Sequence, residues 1–207
     1  SIPVIILGLF IVIFYLKRTK PSHYKTYWKW GLKYSLPIVP HGISQVILSQ
    51  FDRIMISSMI GAAESGIYSF AYTVFSIIQV TYTSLDTVWS QWFYDKFTAG
   101  DFKVIRKKSA IYVMLMLLFS CILILISPEL ILILGSLKYQ AAVYCVVPII
   151  AGGFFSFLYT LPAAIEYYFE KTNYIALATT VAALINVVLN YIFIQLYGYV
   201  AAAYTTL

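Results

Sequence analysis

The sequence contains few charged residues. Asp, Glu, Lys and Arg make up 11% of its 207 residues, whereas about a quarter of a typical soluble domain is charged. Residues classed as hydrophobic make up 61%, and the mean hydropathy is +0.84. This composition excludes an ordinary soluble domain and indicates a protein whose solvent is the lipid bilayer.

Cysteine is also scarce. Cys121 and Cys145 lie inside apolar runs and have no ligand-like spacing, so they indicate neither a metal site nor a disulfide framework. The residues give no indication of a redox compartment, and we expect no cofactor.

The basic residues are concentrated in three short polar stretches. All Lys and Arg residues except Arg53 and Lys138 lie there: Lys17, Arg18, Lys20, Lys25, Lys29 and Lys33; then Lys96, Lys103, Arg106, Lys107 and Lys108; then Lys171. Because cytoplasmic loops retain Lys and Arg, we predict that these stretches are cytoplasmic and that the alternate loops face outward. This topology also accounts for the sequence pI near 9.2, so we expect no nucleic-acid partner.

The apolar runs between these stretches predict an all-α, multi-span integral membrane bundle. A helix needs about 20 apolar residues to cross a bilayer. The predicted spans are 1–16 (truncated), 34–60, 67–94, 109–134, 139–165 and 173–196, with a further truncated span at 199–207 and a basic cytoplasmic loop at 17–33. Because both ends fall inside apolar runs, we expect a fragment of a longer protein. Pro128 is expected to interrupt the fourth run near Ser127, leaving an interfacial turn or a short continuation of the helix.

One face of the third span is polar along most of its length. A helical wheel places its polar residues within a sector of about 80°. They are Tyr72, Ser76, Gln79, Thr83, Asp86 and Ser90. Such a face either forms hydrogen bonds to other helices or faces water. We favour a water-filled cavity because the stripe is long and contains Asp86.

The second span carries a similar stripe within a sector of about 120°. Its members are His41, Gln45, Ser49, Asp52 and Arg53. Ionisable groups deep in a span cost about 2.5 to 3.5 kcal/mol each on insertion scales and often serve function. Two interpretations stay open for Asp52 and Arg53. They either fix helix packing, or Arg53 binds an anionic substrate and Asp52 binds a coupling ion; His41 could also take part in coupling.

The last complete span carries Asn186 and Asn190 one turn apart, with Thr179 on the same face. These residues could line the cavity, but asparagine side chains also join membrane helices. We favour packing.

Three segments together resemble a known family. They are LKYSLPIVPHGISQVILSQFDRIMISSMIGAAESGIYSFAYTVFSIIQV, SPELILILGSLKYQAAVYCVVPIIAGGFF and INVVLNYIFIQLYGYVAAAYTTL. The first resembles the start of the second six-helix lobe of the polysaccharide-biosynthesis flippases, which belong to the multidrug/oligosaccharidyl-lipid/polysaccharide exporter superfamily. The resemblance extends over residues 34–207. Its matching elements are Leu36, Pro37, Pro40, Asp52, Arg53, Gly66, Ile67, Tyr68, Ser69, Asn186, Asn190, Gly198 and Ala202, with Ala201 where the family usually has glycine.

The resemblance implies a transporter and not an enzyme. It implies a C-terminal six-helix lobe that flips a polyprenyl-diphosphate-linked oligosaccharide across a bacterial plasma membrane by alternating access, with H⁺ or Na⁺ coupling. Membrane lipids, a polysaccharide polymerase and glycosyltransferases are the other expected partners. Substrate contact is expected at Arg53, Gln45, Tyr72 and Gln79, and ion coupling at Asp52, Asp86 and His41.

Three alternatives stay open. In a drug or cation antiporter of the same superfamily, Asp52 and Asp86 would bind the coupling ion or a cationic substrate. A membrane-embedded glycan polymerase or glycosyltransferase would need catalytic groups in a sizeable outer loop, and the predicted outer loops are short. A scaffolding membrane protein would not need the two polar helix faces.

Overall fold

The computed structural model describes residues 2–18 and 24–207. In these residues the secondary structure is helical, without a β-strand. The α-helices are α1 (Ile2–Arg18), α2 (Tyr24–Ser35), α3 (Ile38–Met59), α4 (Ala62–Thr98), α5 (Phe102–Leu134), α6 (Val143–Tyr168), α7 (Thr172–Tyr197) and α8 (Tyr199–Thr205), with a 3-10 helix at Leu137–Ala142 between α5 and α6. The predicted all-α architecture is therefore confirmed.

Three described helical segments are long and apolar enough to cross a membrane. They are Phe102–Leu134, Leu137–Tyr168 and Thr172–Tyr197. Helices α3 and α4 are long enough, with 22 and 37 residues, but they carry the two polar stripes and do not meet the same criterion of apolarity. Their membrane crossing stays a prediction.

The segment 17–33 differs from the predicted loop. Its second half belongs to helix α2, in which large aromatic residues alternate with lysines. Loops are usually marked by clusters of Gly, Pro, Ser, Asn or Asp, and residues 24–33 contain Gly31 alone of the strong breakers. Lys20 of the predicted basic loop lies outside the described residues.

Helix α5 continues through Pro128 to Leu134 instead of stopping near Ser127. Proline has no N–H to donate to the carbonyl four residues earlier, which here belongs to Ile124. The Ser127 hydroxyl donates to this same carbonyl at 2.8 Å. The side chain thus replaces the missing backbone donor. Of the two expectations, an interfacial turn or a short continuation of the helix, the structure shows the continuation.

A glycine sits at the sharp reversal between α3 and α4. Gly61 has φ +155°, a backbone conformation that L side chains rarely adopt. A Cβ atom there would also lie 2.9 Å from the Glu64 carboxylate. This short turn brings the end of α3 against the start of α4, where the Ser65 hydroxyl donates to the Arg53 carbonyl at 3.0 Å.

Helix α4 lies at the centre of the bundle. It contacts α3, α5 and α6, while α3 packs most extensively on α7, and α6 also contacts α8. The core is formed by small and branched side chains of α4 and α6, together with residues of α3, α5, α7 and α8. Examples of completely or almost completely buried side chains are Ile56, Tyr68, Val74, Ile78, Val146, Ile150 and Ile194. This packing fixes the α3–α4 pair that carries most of the predicted site residues.

Candidate functional site

The carboxylate of Asp52 lies at the centre of a buried polar cluster between α3 and α4. Only 1% of Asp52 is exposed. Its Oδ2 atom accepts hydrogen bonds from the Tyr68 hydroxyl at 2.5 Å and the Tyr72 hydroxyl at 3.1 Å. Its Oδ1 atom accepts one from the Arg53 backbone N–H at 2.8 Å. Three donors therefore converge on one carboxyl group, an arrangement that suits an acceptor-only carboxylate.

The guanidinium of Arg53 does not pair with Asp52. It lies over the Tyr72 ring, with Cζ 4.1 Å from the ring centroid, and its Nη1 donates to Gln50 Oε1 at 3.2 Å. The Nε atom is buried and has no hydrogen-bond partner within the described structure. Among the described residues no carboxylate lies within ion-pair distance of this group. Its positive charge therefore contacts an aromatic face and an amide oxygen, without an ion pair in the described part of the chain.

The structure thus brings together three of the predicted site residues: Asp52, Arg53 and Tyr72. We call these three, with Tyr68 and Gln50, the Asp52 cluster. Cation–π contact and a charge-assisted hydrogen bond meet at Tyr72, which links the two ionisable groups without an ion pair.

The other predicted site residues lie apart from this cluster. The Nδ1 atom of His41 is 3.0 Å from the Thr179 hydroxyl of α7, so His41 joins α3 to α7. Gln45 on α3 and Gln79 on α4 are exposed, and Asp86 on α4 is partly exposed. These three side chains form no hydrogen bond in the described part of the chain. Their proposed roles are therefore not tested by geometry.

The asparagine pair of α7 holds α8. Asn186 Nδ2 donates to the Thr205 carbonyl at 3.2 Å, and Asn190 Nδ2 donates to Asn186 Oδ1 at 3.1 Å. The Thr205 hydroxyl in turn donates to Asn190 Oδ1. These contacts agree with the packing interpretation of the pair, while Thr179, on the same face, contacts α3 through His41.

Sequence reasoning missed two members of the cluster. Tyr68 is among the residues of the family resemblance but precedes the polar stripe of α4, and Gln50 lies outside the polar sector of α3. A signal was present for Tyr68, because Tyr68 and Tyr72 are four residues apart and therefore share a helix face. For Gln50 the corresponding signal is its position three residues before Arg53.

These observations define the class of the protein first. It is a helical membrane protein in which a buried carboxylate and an arginine without an ion-pair partner among the described residues are consecutive residues of one helix, α3. Residues 1–93, which include the whole Asp52 cluster, match the family model described as "Polysaccharide biosynthesis protein". This match, over slightly less than half of the chain, supports the predicted polysaccharide-biosynthesis family.

The match begins earlier than the resemblance drawn from the sequence, which started at residue 34, and it does not extend over residues 94–207. No curated protein and no solved structure matches the chain.

Proposed function

We propose that this protein moves a lipid-linked oligosaccharide, carried on a polyprenyl diphosphate, across a bacterial plasma membrane by alternating access. A single observation carries the proposal: Arg53 lies in the part of the chain that matches the polysaccharide-biosynthesis family, and its charge is not paired with the adjacent carboxylate. A diphosphate cannot enter hydrocarbon without compensating partners. An arginine presents a planar fork of N–H donors that fits phosphate oxygens in a bidentate manner.

The surroundings of Arg53 support phosphate binding for a second reason. Both oxygens of Asp52 are engaged, by two tyrosine hydroxyls and a backbone N–H, and not by the guanidinium. Gln50 accepts one guanidinium hydrogen and the Nε atom is buried, which leaves the other Nη N–H groups for a ligand. The cluster therefore holds the cation in place while leaving donor groups available.

The test is loss of glycan export when Arg53 is replaced in the full-length protein. In cells that depend on this protein for their surface glycan, we expect Arg53→Ala to lower export about 10- to 100-fold, because a hydrogen bond to a charged group contributes about 1.5 to 3 kcal/mol. Arg53→Lys should recover part of the activity, since lysine supplies charge without the fork.

Lys138→Ala is the matched control, because Lys138 is the other cation outside the three basic stretches and it is exposed. It should leave export unchanged. Full surface glycan in cells that make normal amounts of the Arg53→Ala protein would contradict the proposal.

For ion coupling, we propose Asp86 as the better placed of the three predicted residues. Both oxygens of Asp52 accept hydrogen bonds, and His41 is bonded to Thr179. Asp86 is only partly buried, and the described structure gives it no hydrogen-bond partner. A carboxylate in this position is accessible to an ion and retains its coordination capacity.

Asp86→Asn should therefore remove the stimulation of transport by an imposed proton or sodium gradient in proteoliposomes, while exchange without a gradient persists. Asp95→Asn is the control, because Asp95 is an exposed carboxylate near the end of the same helix. If the Asp86→Asn protein responded to the gradient as fully as the unmodified protein, this assignment would be wrong. Gradient-driven efflux of a cationic dye without glycan export would instead favour the antiporter alternative.

A further inference from the structure

Helix α2 displays an exposed basic and aromatic surface that the transport proposal does not use. Tyr27 is 69% exposed, Trp28 65% and Leu32 54%. Lys29 and Lys33 are exposed as well. We call Trp28, Lys29, Leu32 and Lys33 the α2 surface.

The α2 surface is arranged in neighbouring rows. Lys29 and Lys33 are four residues apart and therefore share a helix face. Trp28 and Leu32 form a parallel row one position earlier, so an apolar row runs directly beside the basic one. A helix with tryptophan and leucine next to lysines is typical of segments that lie at a membrane interface, with aromatic rings at the level of the headgroups.

The opposite side of α2 is anchored to the bundle. Trp30 Nε1 donates to Glu170 Oε2 at 3.0 Å, and the Thr172 hydroxyl at the start of α7 donates to the Tyr34 carbonyl at 3.1 Å. The Trp30 and Tyr34 rings also stack, with centroids 6.1 Å apart. These contacts fix α2 beside the α6–α7 connection, which contains Lys171 and is predicted to be cytoplasmic. The α2 surface therefore has a defined position and faces away from the protein.

Within residues 17–33 the charge is of one sign, and the Glu170 carboxylate lies on the anchored side of α2, where it is bonded to Trp30. The sequence has no acidic residue before Asp52, while residues 17–33 carry six basic ones: Lys17, Arg18, Lys20, Lys25, Lys29 and Lys33. Neither Lys29 nor Lys33 forms an ion pair within the described structure. A ligand with fixed negative charge and an adjoining apolar layer is complementary to such a surface, and an acidic phospholipid has both.

We propose that the α2 surface binds the headgroups of acidic phospholipids in the cytoplasmic leaflet. Lys29 and Lys33 contact the phosphates, and Trp28 and Leu32 enter the boundary between headgroups and acyl chains. An acidic protein or a nucleic acid would satisfy the lysines but would leave the apolar row exposed, so lipid is the better match. Lysines near an anionic membrane surface each strengthen binding about fivefold, and salt screens the effect.

The experiment uses the full-length protein reconstituted in phosphatidylcholine vesicles that contain a small amount of spin-labelled phosphatidylglycerol or spin-labelled phosphatidylcholine. The motionally restricted fraction of each label gives the preference of the protein surface for the acidic lipid. We expect Lys29→Gln/Lys33→Gln to lower this preference on the order of tenfold. In the unmodified protein, 1 M KCl should lower it to a similar degree.

The matched control is Lys107→Gln/Lys108→Gln, which removes the same charge from exposed residues of α5 that are also predicted to be cytoplasmic. It should keep most of the preference. Equal losses in the two double variants would mean a general effect of net charge and would overturn the proposal, as would an unchanged preference in Lys29→Gln/Lys33→Gln. Retention of an acidic peptide or of RNA by the α2 surface, without preference for phosphatidylglycerol, would likewise overturn it.

Discussion

The Tyr68 hydroxyl determines how a carboxylate is accommodated inside the bundle. Its donor–acceptor distance to Asp52 Oδ2, 2.5 Å, falls in the range of charge-assisted O–H···O⁻ bonds. A buried carboxylate without such partners would cost several kcal/mol. Tyr68 is itself completely buried, so water cannot replace its hydroxyl. At the residue scale, the hydrogen bond from the Tyr68 hydroxyl offsets part of the free-energy cost of burying the Asp52 carboxylate.

Tyr68→Phe should therefore destabilise the protein more than an equivalent change elsewhere. We expect the free energy of unfolding to fall by about 1.5 to 3 kcal/mol, because the hydrogen bond to a charged group is lost while the ring stays. Tyr82→Phe is the control: its hydroxyl is paired with neutral Ser120 at 2.9 Å, and its loss should cost about 0.5 to 1.5 kcal/mol. Thermal unfolding of the two purified variants gives the comparison. Equal melting temperatures would show that the Asp52 bond is no stronger than a neutral one.

The partners of Asp52 show what the sequence can and cannot predict at this scale. The cost of burying an ionisable group indicated that Asp52 and Arg53 need partners on other elements. The polar stripe of α4 supplied Tyr72 as a candidate. Tyr68 lies one turn before the first residue of that stripe, on the same helix face, and its contact depends on the tight turn at Gly61. The order of the chain does not specify how far two helices are offset, so this pairing required the structure.

At the scale of the elements, α4 and α6 approach each other closely at Gly153. A Cβ atom there would lie 2.1 Å from Cε2 of the Phe75 ring. Phe75 in turn packs edge-on against Tyr72, with centroids 5.9 Å apart. Tyr72 carries the guanidinium of Arg53. The spacing of the two helices is thus connected through two aromatic rings to the position of the cation.

Gly153→Ala should disturb both packing and site. We expect the free energy of unfolding to fall by about 1 to 3 kcal/mol, because extra volume in a packed core forces the neighbouring side chains to move. Gly66→Ala is the control, because in the described structure no heavy atom beyond its chain neighbours and its own helix backbone lies within 4 Å of the added methyl group, and alanine favours a helix. The unfolding temperatures of the two variants test the prediction. Phe75→Leu in the Gly153→Ala background should recover part of the loss; if it recovers none, the Phe75 contact is not the cause.

The elements themselves were largely predictable, with helix α2 as the exception. Long apolar runs specify membrane helices because backbone groups in lipid must bond within the segment. The predicted fourth span, 109–134, ends where α5 ends, and the structure shows the continuation of the helix past Pro128 because Ser127 supplies the missing donor. Helix α2 was predicted as a loop because basic residues mark cytoplasmic loops, whereas its aromatic residues and lysines form a helix.

At the scale of the whole molecule, parts of both polar stripes remain uncovered by the rest of the bundle. Gln45 and Ser49 on α3, and Gln79 and Thr83 on α4, are exposed. The same is true of apolar side chains on α4: Val80 is 65% exposed and Val88 68%. Exposure in the described chain therefore does not distinguish a surface that faces water from one that faces lipid. The chemistry of the side chains distinguishes the two surfaces, because exposed glutamines are unfavourable in hydrocarbon.

This distinction can be measured with single cysteines in the full-length protein embedded in membranes, after Cys121, which is exposed, has been replaced by serine. Cysteines at Gln79 and Thr83 should react with a membrane-impermeant thiol reagent, because a transport path must contain water. Cysteines at Val80 and Val88 are the matched controls on the same helix and should react at least tenfold more slowly, because a thiol needs water to ionise to the reactive thiolate. If all four positions reacted equally slowly, the stripe of α4 would face lipid or protein. An oligosaccharide would then have no hydrated route past this helix, whatever Arg53 binds.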